Sequence, residues 1–417
     1  MAVKLGYKQT EVGVIPEDWG VSTVGSEFYI QLGKMLDSEK NVGEPRPFVG
    51  NRAVQWGRID ITDIGEIKLS RSDLQRFRLC EGDLLVCEGG EVGRAAIWRQ
   101  PVAECYYQKA LHRLRPKRGY NIQLMQYLLQ QLSASGFLLN FVTQTSIAHL
   151  PKDKFQTVPI PLPPTKAEQE AIAEALSDAD ALIESLEQHI AKKRNIEQGA
   201  MQELLTGQKR LPGFSGKWEV KRLGELGSTY GGLTGKRKSD FGNGPSRFIT
   251  FLNIMTNVVI DCDIFERVNV LPAESQNQVS KGDLFFNGSS ETSEEVGMCA
   301  LLAEDVQGVY LNSFCFGFRF LEKAKADGLY MAYYFRSREG RELLKSLAQG
   351  ATRYNLSKTA LLKVELPLPP LPEQSAIATI LADMDAEIVA LETKLAKVRQ
   401  IKQGMMQELL TGRIRLV

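Results

Sequence analysis

The residues that most often carry catalysis or hold metal ions are scattered in this sequence. No GxSxG elbow, HExxH pair or glycine-rich cofactor fingerprint is present. Asp83 and Glu88 match a nuclease pattern poorly. Asp283, the counterpart of Asp83 in the second half, has no acidic residue five positions later, so the pair is not repeated. The histidines lie far apart without ligand spacing: His112, His149 and His189. We therefore expect no catalytic site and no metal site.

A different chemistry, contact with phosphates and base edges, needs cationic side chains on accessible loops. Lys236, Arg237 and Lys238 lie between glycines in the segment GLTGKRKSDFG, which favours a flexible cationic loop. A solvated loop without a ligand is an equally good interpretation of any single one of these residues. The segment is not a P-loop, since no Ser or Thr follows Lys236.

Length and composition predict an ordinary soluble chain. It has 417 residues, 43% hydrophobic and 24% charged content, and a net charge of +1, which suits two or three domains. No apolar run is long enough to span a bilayer, and the first residues lack an apolar signal core. The six cysteines form no CxxC pair and predict reduced thiols. We expect a cytoplasmic protein without a membrane partner.

The elements that must position any site are repeated. The segment 168–207 recurs at 373–412, and the two copies align without gaps at an offset of 205 residues. A period of that length indicates a duplicated domain unit and not a solenoid or propeller array. The two halves are therefore expected to do two versions of one task.

Each copy carries a heptad stripe of apolar residues, which is the signature of a supercoiled helix pair. The span 168–205 predicts a helix of roughly 57 Å. Gly207 and Gly412 stand where a left-handed helix end is needed. The predicted core of the pair is Ile172, Leu176, Ile183, Leu186 and Ile190 in the first copy and Ile377, Leu381, Met384, Ile388, Leu391, Leu395 and Val398 in the second.

The distribution of charge along the two helices predicts their direction. The first has seven acidic residues and no basic one over 168–187, followed by Lys192, Lys193 and Arg194; the second also begins acidic and ends basic. Antiparallel helices place each acidic half beside the other's basic half, so we expect an antiparallel pair about a pseudo-two-fold axis. The alternative is two unrelated amphipathic helices, each packed on its own domain.

The remaining segments form two matched globular units. Proline runs at 159–164 and 367–372 predict stiff hinges between each globule and its long helix. We expect a first domain over 1–157, a hinge and central helix over 158–210, a second domain over 211–363, and a hinge and C-terminal helix over 364–417. Between matched strands the loops differ, with Gly89-Gly90 in one half and the segment 287–293 in the other. This pattern is expected of domains that recognise different targets, and ordinary loop drift would produce the same difference.

The repeated unit of PLPP, Glu-Gln, long helix and QELLTG behind two diverged domains resembles the DNA-specificity subunit of Type I restriction-modification systems. The resemblance implies an α+β chain with two target-recognition domains of mixed α/β type in a pseudo-two-fold arrangement. Two long antiparallel coiled-coil helices would join them and set the gap of a bipartite DNA target. It further implies that the subunit itself is not an enzyme.

The resemblance also implies the partners. These are double-stranded DNA, two methyltransferase subunits that carry S-adenosylmethionine, and motor-nuclease subunits that use ATP, with no cofactor on this chain. Our candidate DNA-binding residues are Lys34 and Arg94 in the first domain and Lys236, Arg237, Lys238 and Arg353 in the second. The alternatives are a coiled-coil scaffold with peptide-binding domains and a nuclease with a degenerate active site.

Overall fold

A computed structural model describes residues 5–37, 41–144, 148–350 and 352–416. The chain divides into two units by its internal contacts. Unit 1 comprises Met1–Glu187 and Lys394–Val417, and unit 2 comprises Gln188–Thr393. Each unit thus holds one globular domain, the beginning of one long helix and the end of the other. The sequence instead assigned each long helix to a separate segment.

The long helices span Lys166–Leu205 and Leu371–Leu409. Among the described residues, no helix is long and apolar enough to cross a membrane. Gly207 has a φ of 71° and Gly412 a φ of 68°, so both adopt the left-handed conformation predicted for the helix ends.

The globular domain of unit 1 combines two small sheets with short helices. A four-stranded sheet runs in the order Ala95–Ile97, Leu84–Cys87, Leu111–Pro116, Phe28–Leu32 and is antiparallel throughout. A three-stranded sheet contains Tyr106–Tyr107, Glu44–Val49 and Ile64–Leu69. The remaining strands are Tyr7–Thr10, Gly13–Pro16, Gly20–Thr23, Val54–Gln55, Arg58–Ile59, Thr143–Gln144, Ala148–His149 and Pro159–Leu162. The helices are Val24–Glu27, Ile61–Asp63, Arg71–Arg76, Ile122–Ala134, Phe137–Phe141 and Lys152–Phe155.

The globular domain of unit 2 repeats this plan. Its four-stranded sheet has the equivalent order Cys299–Leu301, Leu284–Asn287, Cys315–Phe320, Gly227–Gly231. Its three-stranded sheet contains Glu266–Val268, Phe241–Ile249 and Val309–Leu311. The remaining strands are Glu219–Arg222, Ser289–Ser290, Ala348–Gln349, Tyr354–Leu356 and Glu365–Leu368. The helices are Leu223–Leu226, Lys238–Asp240, Phe251–Thr256, Cys262–Ile264, Gly328–Arg336, Arg338–Ser346 and Lys358–Leu361. Mixed α/β content in both halves confirms the predicted fold class at this level.

The predicted apolar stripe of the helices is buried or half-buried throughout. Part of it packs on the globular domains: Ile172 and Leu176 belong to the unit 1 core, and Ile377 and Leu381 to the unit 2 core. The last turn of each long helix also belongs to a core, through Leu409 in unit 1 and Leu205 in unit 2. The heptad pattern therefore marks the buried surface of each helix. Part of that surface packs on a globular domain, and the rest packs on other residues.

The first part of each proline run lies in a β-strand. Pro159–Leu162 pairs antiparallel with Gly20–Thr23, and Glu365–Leu368 pairs with Glu219–Arg222. Proline is tolerated because each pair has only two strands, so its missing N–H can point outward. Each run ties the start of its long helix to the adjacent globular domain.

A buried carboxylate at the start of each long helix forms an ion pair with an arginine that lies a few residues beyond the end of the other long helix. In unit 2, Arg210 donates two hydrogen bonds to Glu373, at 2.6 and 2.7 Å, and its guanidinium lies 5.6 Å from the ring of Trp218. In unit 1, Arg415 contacts Glu168 through Nε and Nη2, and it lies 5.9 Å from the ring of Trp19. We call these two arrangements the arginine–glutamate clamps.

A second repeated contact differs between the units in one residue. In unit 1 the Tyr127 hydroxyl donates to Asp180, and Lys402 forms an ion pair with the same carboxylate at 2.5 Å. In unit 2 the equivalent tyrosine, Tyr333, donates to Asp385 at 2.5 Å. The repeat places Glu197 where unit 1 has Lys402, so a second carboxyl group replaces the cation. Burial and the neighbouring Asp385 carboxylate raise the pKa of Glu197 to about 8.

This difference predicts a pH dependence confined to unit 2. Glu197 keeps its proton in the folded chain up to about pH 8 but loses it near pH 4.5 when unfolded. The folded state therefore binds more protons in that window, and the contribution of Glu197 to stability falls as pH rises through it. We expect Glu197→Gln to remove about 1 kcal/mol of this fall, a value reduced for the partial exposure of Glu197.

Chemical denaturation between pH 5 and pH 8.5 measures the effect. Glu197→Lys, which copies unit 1, is the companion variant, and we expect it to stabilise unit 2 most at high pH. Equal pH profiles for the wild type and Glu197→Gln would contradict a shared proton at this site.

Candidate nucleic-acid interface

Two of the predicted contact residues in unit 1 are held by the protein itself. Lys34 forms an ion pair with Asp73 at 2.9 Å, and only 23% of its side chain is exposed. Arg94 donates to the backbone oxygen of Asn51 at 3.0 Å and pairs with Glu91 at 3.3 Å. Because the Asn51 side chain donates to the Gly89 backbone oxygen, Arg94 helps to hold the divergent loop at Gly89-Gly90 through Asn51 and Glu91.

The segment 236–238 is less free than its glycines suggested. The Lys236 side chain is 4% exposed, and its ammonium lies 2.5 Å from Glu274 and 2.6 Å from the backbone oxygen of Asn269. Arg237 and Lys238 are exposed. Lys236 anchors the loop, and its two neighbours are the cations that remain available to a ligand.

Arg353 lies beside the divergent loop of unit 2. The strand Tyr354–Leu356 pairs with Ser289–Ser290, and the Arg353 guanidinium donates to the Ser289 hydroxyl at 3.3 Å. The same guanidinium lies 5.4 Å from the ring of Phe314, which is 58% exposed. An exposed arginine on an exposed aromatic ring is a surface that can stack on bases or contact phosphates. Within the described residues, no hydrogen bond or ion pair joins Arg353 to the segment 236–238.

His112, Asp83 and Asp283 have structural roles. Burial lowers the pKa of His112 to about 4, and its Nε2 lies 2.8 Å from the Leu150 backbone oxygen. Asp83 is 2% exposed and is held by the guanidinium of Arg115, and Asp283 is held by Arg319 in the same way. In the described part of the chain, no group of three or more His, Cys, Asp or Glu is placed to hold a metal ion. The six cysteines form no disulfide in the structure.

Sequence reasoning missed two cation-lined cavities. One lies in unit 2 and has a volume of about 580 Å³, with Arg336, Arg338 and Arg341 in its lining. The other lies in unit 1, and its cations include Arg113 and Lys117. The alternation of basic residues in HRLRPK was the available signal for the second, because residues two apart on a strand share a face.

Comparison with known proteins identifies the family. The family model for the Type I restriction modification DNA specificity domain matches residues 16–195 and 215–400. The putative type I restriction enzyme MjaX specificity subunit of Methanocaldococcus jannaschii is 24% identical over 445 residues, covering 98% of this chain and 97% of that protein. The MjaVIII specificity subunit of the same organism is 25% identical over 434 residues, covering 96% of this chain and 94% of the relative.

The fold agrees with that of a solved relative. The Type-I restriction-modification system S subunit from M. genitalium superposes with a TM-score of 0.58 at 16% identity, covering 94% of this chain and 96% of that one. At such low sequence identity, the superposition is evidence for the fold alone. The family is shown by the two matches to the family model, which extend over most of the sequence. The chain therefore belongs to the Type I restriction-modification DNA-specificity family.

Proposed function

We propose that this chain reads a two-part DNA sequence, one part with each globular domain, and sets the gap between the parts with its two long helices. It would dock two methyltransferase subunits, which carry S-adenosylmethionine, and motor-nuclease subunits, which use ATP. The chain itself supplies recognition and assembly without a catalytic site.

The observation that carries this proposal is the pairing of an equivalent scaffold with unequal loops. Both domains have a four-stranded sheet in the same order. The loops that follow equivalent strands, Leu84–Cys87 and Leu284–Asn287, differ in length and composition. Two domains of one fold with different loops are suited to reading two different half-sites.

Ion pairs within each unit support an antiparallel coiled-coil spacer. In unit 1, Arg399 lies 2.5 Å from Glu187, which joins the late part of the second helix to the middle of the first. In unit 2, Lys193 lies 2.7 Å from Glu387, which joins the late part of the first helix to the early part of the second. Opposite charges therefore meet only when the helices run in opposite directions, as the charge distribution predicts.

The test is to co-express the chain with its methyltransferase subunit and map methylated adenines across a random-sequence DNA library. A two-part motif with one fixed gap is the expected result. Absence of methylation, together with failure of the two proteins to co-purify, would contradict the proposal and favour the scaffold. Divalent-metal-dependent DNA cleavage by the isolated chain would favour the nuclease.

The two exposed cations of the second domain give a half-site prediction. We expect Arg237→Ala with Lys238→Ala to weaken recognition of one half of the motif by about 1–3 kcal/mol and to leave the other half unchanged. Methylation rates on DNA altered in one half-site at a time measure this. Lys281→Ala with Lys363→Ala removes the same charge from exposed positions of the same unit. Equal losses at both halves, or in both double variants, would count against separate readers.

A further inference from the structure

A cationic cavity of about 570 Å³ opens on unit 1 beside the edge strand Phe28–Leu32. Its lining holds four cationic side chains and no carboxylate: Arg76, Arg113, Lys117 and Lys152. We call this cavity the cationic pocket. In the part of the chain that the structure describes, none of the four forms an ion pair with a carboxylate. Their charges therefore lack an internal counterion.

Arg113 is the buried member of the group, with 7% of its surface exposed. Its guanidinium has only neutral acceptors: Nη2 donates to Gln31 Oε1 at 2.7 Å, and Nη1 donates to the Arg78 backbone oxygen at 3.0 Å. Its Nε has no hydrogen-bond partner among the described residues. Burying a cation in this way is unfavourable unless an anion neutralises it. Two residues along the strand, Arg115 is neutralised by Asp83.

The outer members of the pocket are accessible. Lys117 lies 5.1 Å from the ring of Tyr29, which is 64% exposed, and donates to the Gly25 backbone oxygen at 2.5 Å. Arg76 and Lys152 are exposed. An open pocket of this kind can bind one group of a long polymer, because the rest of the polymer can lie along the protein surface on either side of the opening.

Unit 2 shows that the fold does not require this cluster. When the central strands of the two domains are aligned by the matching pairs Arg115–Asp83 and Arg319–Asp283, Gly317 is equivalent to Arg113. A Cβ at Gly317 would lie 2.2 Å from the ring of Tyr230, so the tyrosine fills that space. Leu321 stands at the position of Lys117. Unit 2 thus lacks the counterparts of Arg113 and Lys117 but keeps a lysine, Lys358, at the position of Lys152. This partial difference is expected of a ligand site that diverged after duplication.

From these observations we propose that the cationic pocket binds a backbone phosphate of DNA. The inference rests on the proposed function, and it names where the first domain holds the duplex. Arginine and lysine are the side chains that neutralise phosphates, and such contacts fix a protein's register on DNA without reading sequence. A phosphate oxygen in the pocket would supply the missing counterion of Arg113.

The test is the salt dependence of duplex binding, which needs no recognised sequence. The pocket variant combines Arg76→Gln, Lys117→Gln and Lys152→Gln and leaves the buried Arg113 in place. The control variant combines Arg58→Gln, Lys68→Gln and Lys154→Gln, which removes the same charge from exposed positions of unit 1 outside the pocket. The full chain, with its methyltransferase subunits, is titrated with a duplex of about 30 base pairs over a range of salt concentrations.

For the pocket variant we expect the slope of log K against log salt to become shallower by about one for each phosphate that the variant no longer neutralises. The control should keep the wild-type slope. An unchanged slope in the pocket variant, equal changes in both variants, or a wild type that binds no duplex would overturn the proposal. Saturable binding of inorganic phosphate that is abolished in the pocket variant alone, with an unchanged duplex slope, would assign the pocket to a free phosphate compound instead.

Failure of the pocket and failure of the proposed function give different results. A two-part methylation motif with an unchanged slope removes the pocket alone. A shallower slope in the pocket variant without any methylation motif keeps the phosphate site and removes the specificity role.

Discussion

Replacing Arg415 with glutamine is expected to lower the free energy of unfolding of unit 1 by about 3 kcal/mol. Glu168 is fully buried, and Arg415 supplies its counterion. After the substitution, the Glu168 carboxylate would keep one side-chain donor among the described residues, the indole N–H of Trp19 at 3.4 Å. Removing one partner of a buried ion pair is costly because the remaining charge stays desolvated.

Chemical denaturation, combined with hydrogen exchange to assign the loss to unit 1, measures this effect. Arg413→Gln is the matched control, since Arg413 pairs with Glu408 on the surface at 3.4 Å and both side chains are more than a third exposed. We expect the control to cost at most about 0.5 kcal/mol. Similar losses in both variants would show that the clamp adds nothing beyond an ordinary surface pair.

The equivalent change in unit 2, Arg210→Gln, should produce the same loss in the other unit. Glu373 is as deeply buried as Glu168, and its two hydrogen bonds to Arg210 have ordinary lengths. Each clamp joins the segment after one long helix to the start of the other. The two long helices are therefore connected by one clamp in each unit. The clamps thus show that equivalent residues of the sequence repeat, Glu168 and Glu373, make equivalent contacts in the two units.

Local patterns in the sequence were enough to predict the helical part of the fold. The heptad stripe and the glycines at 207 and 412 are set by residues close in sequence, and the structure places helices and left-handed helix ends there. Sequence periodicity reports these features because their hydrogen bonds are local.

Contacts between distant residues were not predictable in this way. Lys236 was expected on a free loop, but Glu274 captures it from 38 positions away. The partner of Glu168 lies 247 positions away, at Arg415. The proline runs predict hinges because proline lacks an N–H, and a sequence alone does not report that the first part of each run pairs with a distant strand. Which cations are free for DNA therefore depends on tertiary neighbours, and a single sequence does not report them.

A buried charge in the apolar stripe is the second change with a large expected effect. Ile388 is 6% exposed, and the residue before it, Glu387, pairs with Lys193 of the other long helix. Ile388→Asp would place a carboxylate in that apolar surface, which we expect to cost several kcal/mol, about 3 or more, because a desolvated charge there has no partner. Thermal unfolding of the full chain measures the loss.

The adjacent residue provides the control. Val389 is 59% exposed, so Val389→Asp adds the same charge at the next position of the same helix without burying it. We expect it to change stability by at most about 0.5 kcal/mol. If Ile388→Asp proved equally mild, the stripe would be too loosely packed to hold the helices in register. A spacer of that kind could not fix the distance between two half-sites, so this pair of variants tests a physical condition of the proposed function.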